Sequence, residues 1–307
     1  MKPITIIIFL SFFVTSNAQD TTTALTRPKL EKMPVQIFNS DRAILANTTE
    51  TIRKGNMAFR VTHHFGDIAG DFGGLKNFFG LDNNVDFRIG FAFGLGDKLD
   101  LMAARVKGAS AQSQQWELAV KWKMVEQSVG GPGFSVALFA NHVVATNAAS
   151  TFPNRENSYK GFSERSSNAF QLIIAKKMGK VSLQLNPTVV TRGYNISYDQ
   201  DAFFALGGAG RIPIIDNKIN FLFDYFHPFR SDAVKDSFRL VDIHFADPVG
   251  VGLEFVTPGH HFRLNFTNAT EILENRFIPR TITSWGDGRF RWAFTISRTF
   301  RLWLPKK

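Results

Sequence analysis

The stretch VDFRIGFAFGLGDKLDL, residues 85–101, decides the fold class of this chain. Apolar side chains take every second position from Val85 to Leu95, and small or charged residues fill the places between them. Since successive side chains on a strand point to opposite faces, this pattern predicts a strand with one apolar and one polar face. A short turn at residues 96–98 then leads into a second strand, which completes a β-hairpin. Such a hairpin fits a soluble sheet with one wet face or a membrane barrel with a polar lumen.

The same alternation recurs along the chain and predicts roughly twelve strands, an even number as bacterial barrels require. The further strand-like runs are residues 57–64, 99–107, 116–124, 134–142, 170–176, 181–189, 203–214, 219–225, 249–255, 262–267 and 290–297. Tight turns such as residues 178–180 alternate with long connections such as residues 144–167 and 268–287. Short periplasmic turns and long outer loops are typical of outer-membrane barrels.

A soluble barrel with its apolar face inward is the alternative. A barrel of about twelve strands is too wide for side chains to fill, and its rows of arginine and aspartate would then face outward. The predicted fold class is therefore all-β, an antiparallel transmembrane β-barrel of roughly twelve strands over residues 56–304, with both termini in the periplasm.

The N-terminus predicts export to the outer membrane. Lys2 precedes a short apolar run, and small residues stand ahead of Gln19, as in a secretory signal peptide spanning residues 1–18. Residues 19–55 are polar and lack periodicity, so we expect an N-terminal periplasmic segment there. Phe38, Ile44 and Leu45 are apolar residues that could dock somewhere and order part of that segment.

Composition restricts the chemical classes of possible partners but does not identify a particular partner. With Cys 0, the chain has neither disulfides nor thiolate metal sites. The formal net charge of +10 suits an anionic partner or a barrel with basic rims and lumen. The sequence carries no nucleic-acid-binding motif, so we expect outer-membrane lipid as the surroundings of the barrel and no nucleic-acid partner.

Four segments resemble one family of proteins: FRVTHHFG (59–66), NFFGLDNNVDFRIGFAFGLGDKLD (77–100), PGHHFRLNFTN (258–268) and ISRTF (296–300). The chain resembles an uncharacterised family of Gram-negative outer-membrane β-barrels, a domain of unknown function, from about Pro34 to Leu302. The resemblance implies a barrel in the cell envelope and no reaction.

Catalytic, cofactor and metal sites are not predicted. His63 and His64 are adjacent on a strand, so their side chains point to opposite faces and cannot chelate one ion together. His260 and His261 are arranged in the same way. No nucleophile elbow and no compact His–Ser–Asn run is present, so an outer-membrane enzyme is the least favoured class.

Charged side chains on the polar face of the strands are the candidate functional residues. They form either a closed set of ion pairs or an open, cation-lined pore that favours anions. These predicted lumen charges are Arg60, Asp86, Arg88, Glu117, Lys121, Lys123, Arg211, Asp224, Glu254, Arg263 and Arg291.

The sequence thus predicts a non-enzymatic outer-membrane barrel that acts as a scaffold or partner subunit of an envelope complex. The alternative is a channel for small hydrophilic, perhaps anionic, solutes. The long loops, rich in Asn, Ser and aromatic residues, favour an envelope protein partner.

Overall fold

The computed structural model describes residues 33–215 and 218–303, and in this part of the chain twelve antiparallel strands close into a barrel. The predicted signal peptide and the Gln19–Lys32 part of the predicted periplasmic segment lie outside the described residues. The strands, β1 to β12, are Asn56–Asp67, Asn84–Gly96, Leu99–Gly108, Gln114–Val125, Ser135–Ala145, Ser166–Met178, Val181–Arg192, Ala202–Ile215, Ile219–Phe229, Val249–Val256, His260–Thr267 and Arg291–Arg301.

The first and last strands close the barrel. β1 pairs antiparallel with β12, with Thr62 opposite Thr295 and Val61 opposite Ile296. Every other strand pairs with its neighbour in sequence. The predicted fold class is therefore confirmed, and closure leaves the sheet without an open edge.

The strands sort their side chains as the alternation predicts. On β2, Phe91 is 39% exposed on the outer face, whereas Ala92 is only 6% exposed on the inner face. On β4, Trp116, Leu118, Val120 and Trp122 are all exposed, whereas Glu117, Ala119 and Lys121, which alternate with them, are buried. The outer wall is thus apolar and suited to lipid.

Phe91→Arg should destabilise the barrel by about 2–4 kcal/mol, because it places a charge on the lipid-facing wall near the middle of a strand. Phe91→Leu is the matched control and should cost less than half as much. Urea unfolding in lipid vesicles, followed by tryptophan fluorescence, measures both. Equal losses in the two variants would show that this face does not contact lipid.

The two ends of the barrel differ. At the short-turn end lie the turns before β3, β7 and β11, together with the start of β1 and the end of β12. At the long-loop end lie residues 68–83, 146–165, 193–201, 230–248 and 268–290. Two short helices belong to these loops: α1, Asp232–Arg239, and α2, Glu274–Arg280. None of the helices in the described part of the chain is long and apolar enough to cross a membrane.

Two segments fill the barrel interior. We call residues 37–50 the plug and residues 268–283 the inserted loop. The plug belongs to residues 19–55, for which the sequence predicts a periplasmic segment, but it lies inside the barrel, where Ile37, Leu45 and Thr48 are at most 1% exposed. A barrel of this width leaves room that wall side chains do not fill, so a segment of chain can occupy it.

Glycines on the wall make space for these segments. A β-carbon at Gly94 would lie 2.3 Å from the backbone oxygen of Arg53, where the chain leaves the plug. A β-carbon at Gly250 would lie 2.6 Å from Oδ1 of Asp224 and 2.9 Å from Cγ2 of Ile44 in the plug. Both glycines therefore allow a close approach that a larger residue would prevent.

Candidate functional site in the barrel lumen

The plug is a compact hairpin that binds a carboxylate of the wall. The backbone N–H of Thr48 donates to Asp41 O, and that of Ala43 donates to Ala46 O, which closes a tight turn at the tip. At this tip the N–H groups of Ile44, Leu45 and Ala46 all donate to Oδ2 of Asp224, at 3.1, 2.6 and 2.9 Å. Successive backbone N–H groups that converge in this way form an anion-binding nest.

Carboxylates of the plug pair with cations of the wall. Asp41 accepts from Arg60 in a buried ion pair, and Glu50 lies 3.3 Å from Nζ of Lys123. Nζ of Lys121 donates to the backbone oxygen of Asp41 at 2.5 Å. Burial on its own raises the pKa of Asp41, but the charges of Arg60 and Lys121 outweigh burial and hold that pKa well below its ordinary value. Asp41 is therefore a carboxylate in the folded protein.

Other wall residues hold the backbone of the plug. Arg263 donates to Arg42 O at 2.5 Å, and Nε of Arg211 donates to Ile37 O at 2.9 Å. Asn39 in turn donates to Glu254 at 2.8 Å. The plug is thus fixed mainly by polar contacts, although Ile37, Phe38 and Leu45 also join an apolar cluster on one side of the lumen.

The inserted loop meets the plug at Glu274. This carboxylate is fully buried, pairs with Arg42, and accepts from Asn47 at 2.9 Å through Oε1. Its Oε2 accepts from Asn141 of the wall at 3.1 Å. On the other side of α2, Phe277 packs edge-on against Phe226 at 5.2 Å between ring centroids. Glu274 therefore links the plug, the inserted loop and the wall.

A wall-to-wall ion pair lies beside this junction. Nε and Nη2 of Arg88 donate to Oε2 of Glu117 at 2.9 and 2.6 Å, and Asn141 donates to the other oxygen at 3.1 Å. Nearer the long-loop end, Asp86 accepts from the backbone N–H of Ile272 at 2.8 Å. At that same end Arg291 lies 2.7 Å from Asp67.

The predicted lumen charges are therefore all buried, at most 6% exposed, and most of their partners lie on the plug or the inserted loop. Several residues of this network are not among the predicted lumen charges: Asp41, Arg42, Asn47, Glu50, Asp67, Asp100 and Glu274. Asp100 could have been found, because it alternates with Leu99 and Leu101 on the predicted hairpin. The plug residues carry no such signal, since alternation is absent there.

Two cavities lie at opposite ends of the barrel. The larger, about 680 Å³, opens at the short-turn end between Glu50, Arg53, Asp97 and Lys123. The smaller, about 230 Å³, lies at the long-loop end between Asp86 on the wall and Glu271 and Arg276 on the inserted loop. The plug lines the larger space with Asn39, Asp41 and Glu50, whereas the inserted loop lines the smaller one.

A cluster of ion pairs lies at the long-loop end, next to the inserted loop. Asp199 lies 2.9 Å from Arg192 and 2.5 Å from Arg230, so it joins two loops to each other. Glu156, from residues 146–165, pairs with Arg276 at 2.9 Å and with Arg280, both on α2. The outer loops are thus tied to α2 by charge.

The pairing of Glu156 predicts a pH-dependent loop. Burial alone raises the pKa of Glu156, but Arg276 and Arg280 outweigh burial and lower it to about 2. Because this pKa is below the unfolded value of about 4.3, the pairing contributes fully above pH ~5 and is lost as the pH falls toward 2. After correction for the intrinsic pH dependence of amide exchange, the protection factors of residues 146–165 should therefore fall progressively below pH ~5. Glu156→Gln should lower these protection factors at neutral pH and leave them nearly independent of pH, and an unchanged pH profile in this variant would contradict the assignment.

The histidines lie in unrelated surroundings. His63 faces outward and stacks on Phe294 at 5.5 Å, whereas His64 is buried with Nδ1 3.3 Å from the backbone oxygen of Thr270. His260 stacks on Phe262. Among the described residues, no group of three or more His, Asp or Glu side chains is placed to hold a metal ion.

The sequence matches the family model described as a membrane bound beta barrel domain (DUF5777) over residues 38–300, and the chain belongs to this family. The predicted family resemblance is therefore confirmed. No curated protein matches the sequence.

Solved structures similar to this fold include three from outer-membrane proteins. The NanC porin is 9% identical, with 80% of this chain and 100% of that chain covered and a TM-score of 0.46. The KdgM porin is 8% identical, with 80% and 99% covered and a TM-score of 0.46. An outer membrane channel from Pseudomonas putida F1 is 14% identical, with 82% and 98% covered and a TM-score of 0.47. At these identities the likeness concerns the fold alone.

Proposed function

We propose that this protein is a non-enzymatic outer-membrane channel for small hydrophilic solutes whose lumen is closed by its own plug. The observation that carries the proposal is the plug itself, a polar hairpin that lies inside the lumen, lines the cavity at the short-turn end and is held by charged wall residues. A barrel that served only as an anchor would gain little from such an interior, because buried ion pairs seldom stabilise more than well-packed apolar side chains. A charged wall does suit a passage that fills with water.

The charges around the plug favour anionic solutes. Arg60, Lys121 and Lys123 surround the position that Asp41 and Glu50 occupy, and Asp100 is the acidic wall residue beside them. When the plug leaves, these cations lose its two carboxylates and face water. We therefore propose that the plug carboxylates occupy the positions where an anionic solute would pass.

The scaffold role that the sequence analysis favoured has no specific support in the family description, which names a membrane-bound barrel and no assembly. The contacts in the lumen favour the alternative, a channel. An envelope protein partner at the outer loops remains a separate hypothesis and is not needed to account for the plug.

A glycine pair tests the proposal. Gly250→Val should push the plug tip away, since its β-carbon would overlap Asp224 and Ile44, whereas Gly259→Val is the matched control because nothing lies within 4 Å of that position. In a liposome-swelling assay with an anionic sugar acid, Gly250→Val should swell several times faster than wild type, and Gly259→Val should not. Swelling of both at the rate of protein-free liposomes, with both barrels folded, would reject the channel.

A further inference from the structure

The outer wall of β3 to β7 combines a groove with a set of polar side chains, and no function described above uses either. The groove begins at the short-turn end, where about 830 Å³ of space lies between Leu99, Trp122 and Leu138. It continues past Ala140 into a further space of about 300 Å³ that ends at His142 and Asn168. The two spaces share Val120 and Ala140, so they form one continuous groove along the wall.

The small side chain of Ala140 leaves the space that forms the groove. On the outer face it lies between its register partners Val120 on β4 and Phe170 on β6. Its neighbours along the groove, Leu118 and Phe170, are 59% and 52% exposed and form raised walls. An apolar groove of this shape on a lipid-facing surface suits an acyl chain.

Hydrogen-bonded polar side chains stand where the groove ends. Nδ1 of His142 lies 2.8 Å from Oδ1 of Asn168, and Nδ2 of Asn168 donates to Thr191 at 3.2 Å. These residues lie near the long-loop ends of β5, β6 and β7. On β1, β2 and β11, the outer face at this end carries aromatic residues instead, such as Phe65, Phe87 and Phe266.

Basic side chains lie on β3, further toward the long-loop end than Leu101, the β3 residue that lines the groove. Arg105 donates to Thr146 and to Gln114, both at 2.9 Å, and lies over the ring of Trp116 at 5.2 Å. In the described part of the chain, neither Arg105 nor the exposed Lys107 forms a salt bridge with a carboxylate. Two positive charges thus stand on β3 between the groove and the long-loop end, with Arg105 over Trp116.

We propose that this surface is a binding site for an anionic phospholipid-type molecule of the outer leaflet. Its acyl chain lies in the groove over Ala140, and its phosphate lies beside Arg105 and Lys107. Charge complementarity favours lipid over a second copy of this chain. In a two-fold dimer the same concave surface and the same cations would face each other, with nothing to fill the groove.

Lipid titration with a fluorescence readout tests the site, because Trp116 and Trp122 lie beside the groove and brominated acyl chains quench tryptophan on contact. The folded full-length protein in detergent is titrated with brominated phosphatidylglycerol or, as the neutral-headgroup comparison, brominated phosphatidylcholine. We expect the tryptophan fluorescence of the wild-type protein to be quenched at a lower concentration of phosphatidylglycerol than of phosphatidylcholine. Arg105→Gln combined with Lys107→Gln should reduce that preference by roughly tenfold or more, since basic residues beside an anionic headgroup each contribute to the preference.

Two further variants test whether the lipid preference arises from this surface. Lys176→Gln, an outward-facing lysine near the short-turn end of β6, is the control and should keep the preference. Ala140→Phe fills the groove and should weaken quenching by both lipids. Equal quenching by the two lipids in wild type, or an unchanged preference without Arg105 and Lys107, would overturn the proposal. So would a dimer in chemical cross-linking that Ala140→Phe abolishes, since the groove would then hold a second copy.

Discussion

Deletion of residues 37–50 should convert a closed barrel into a conducting one. In planar bilayers the deleted protein should give sustained steps of current, whereas the intact protein should open rarely. If the open form of the intact protein is populated at no more than about 10%, the deletion raises the mean current about tenfold or more. The expected result follows because the plug occupies the lumen and also holds the inserted loop, whose Glu274 loses its partners Arg42 and Asn47 when the plug is deleted.

The barrel should survive this deletion. Arg60 and Lys123 lose their carboxylate partners, but the emptied lumen admits water, so these cations are solvated rather than left bare. Residues 51–54 keep their own contacts to the wall, where the backbone N–H of Ile52 donates to Asp100 at 3.0 Å. Retained heat-modifiable migration in gels would show that the deleted barrel is folded.

A peptide provides the matched control for the deletion. A synthetic peptide of residues 35–50, added to the deleted barrel, should reduce the current because it restores the hairpin and its carboxylates. The same peptide with Asp41→Asn and Glu50→Gln should block less well, since it lacks the charges that pair with Arg60 and Lys123. Equal block by the two peptides would show that these ion pairs do not hold the plug.

Arg88→Met should cost about 3–5 kcal/mol of stability, because it leaves Glu117 buried without its cation. Glu117 is 1% exposed, and Arg88 supplies two of the hydrogen bonds that it accepts. Urea unfolding in lipid vesicles measures the loss.

The double variant Arg88→Met with Glu117→Met separates charge from packing. It should lose less stability than Arg88→Met alone, since no buried charge is then left without a partner. The exposed Lys176→Gln should change stability by no more than about 0.5 kcal/mol. If the double variant lost as much as both single variants added together, Arg88 and Glu117 would not act as a pair.

The sequence predicted the barrel wall well, because alternation reports which face each side chain takes and hence whether it meets lipid or lumen. It identified Arg88 and Glu117 as inward residues for this reason. The sequence did not predict that Arg88 pairs with Glu117. This pairing depends on the register of β2, β3 and β4 and on whether the two side chains are long enough to meet. Register follows from backbone pairing that a single sequence does not record.

Alternation of polar and apolar residues could not predict that the plug and the inserted loop lie inside the barrel. Asp41 and Glu274 lie in segments without periodicity, and their charges suggest exposed loops. Inside the barrel these charges are stable because wall cations and the plug cation Arg42 meet them. Only the three-dimensional arrangement brings residues so distant in sequence together, as in the contact of Arg42 with Glu274.

The reversal potential of the barrel without residues 37–50, recorded across a salt gradient, tests the central claim most directly. The claim is that the lumen is a passage for solutes which the plug closes and whose exposed cations favour anions. We expect a sustained current with a reversal potential on the anion-selective side, which shifts toward zero when Arg60→Gln and Lys121→Gln are added. A folded barrel that carries no current without its plug would contradict the claim.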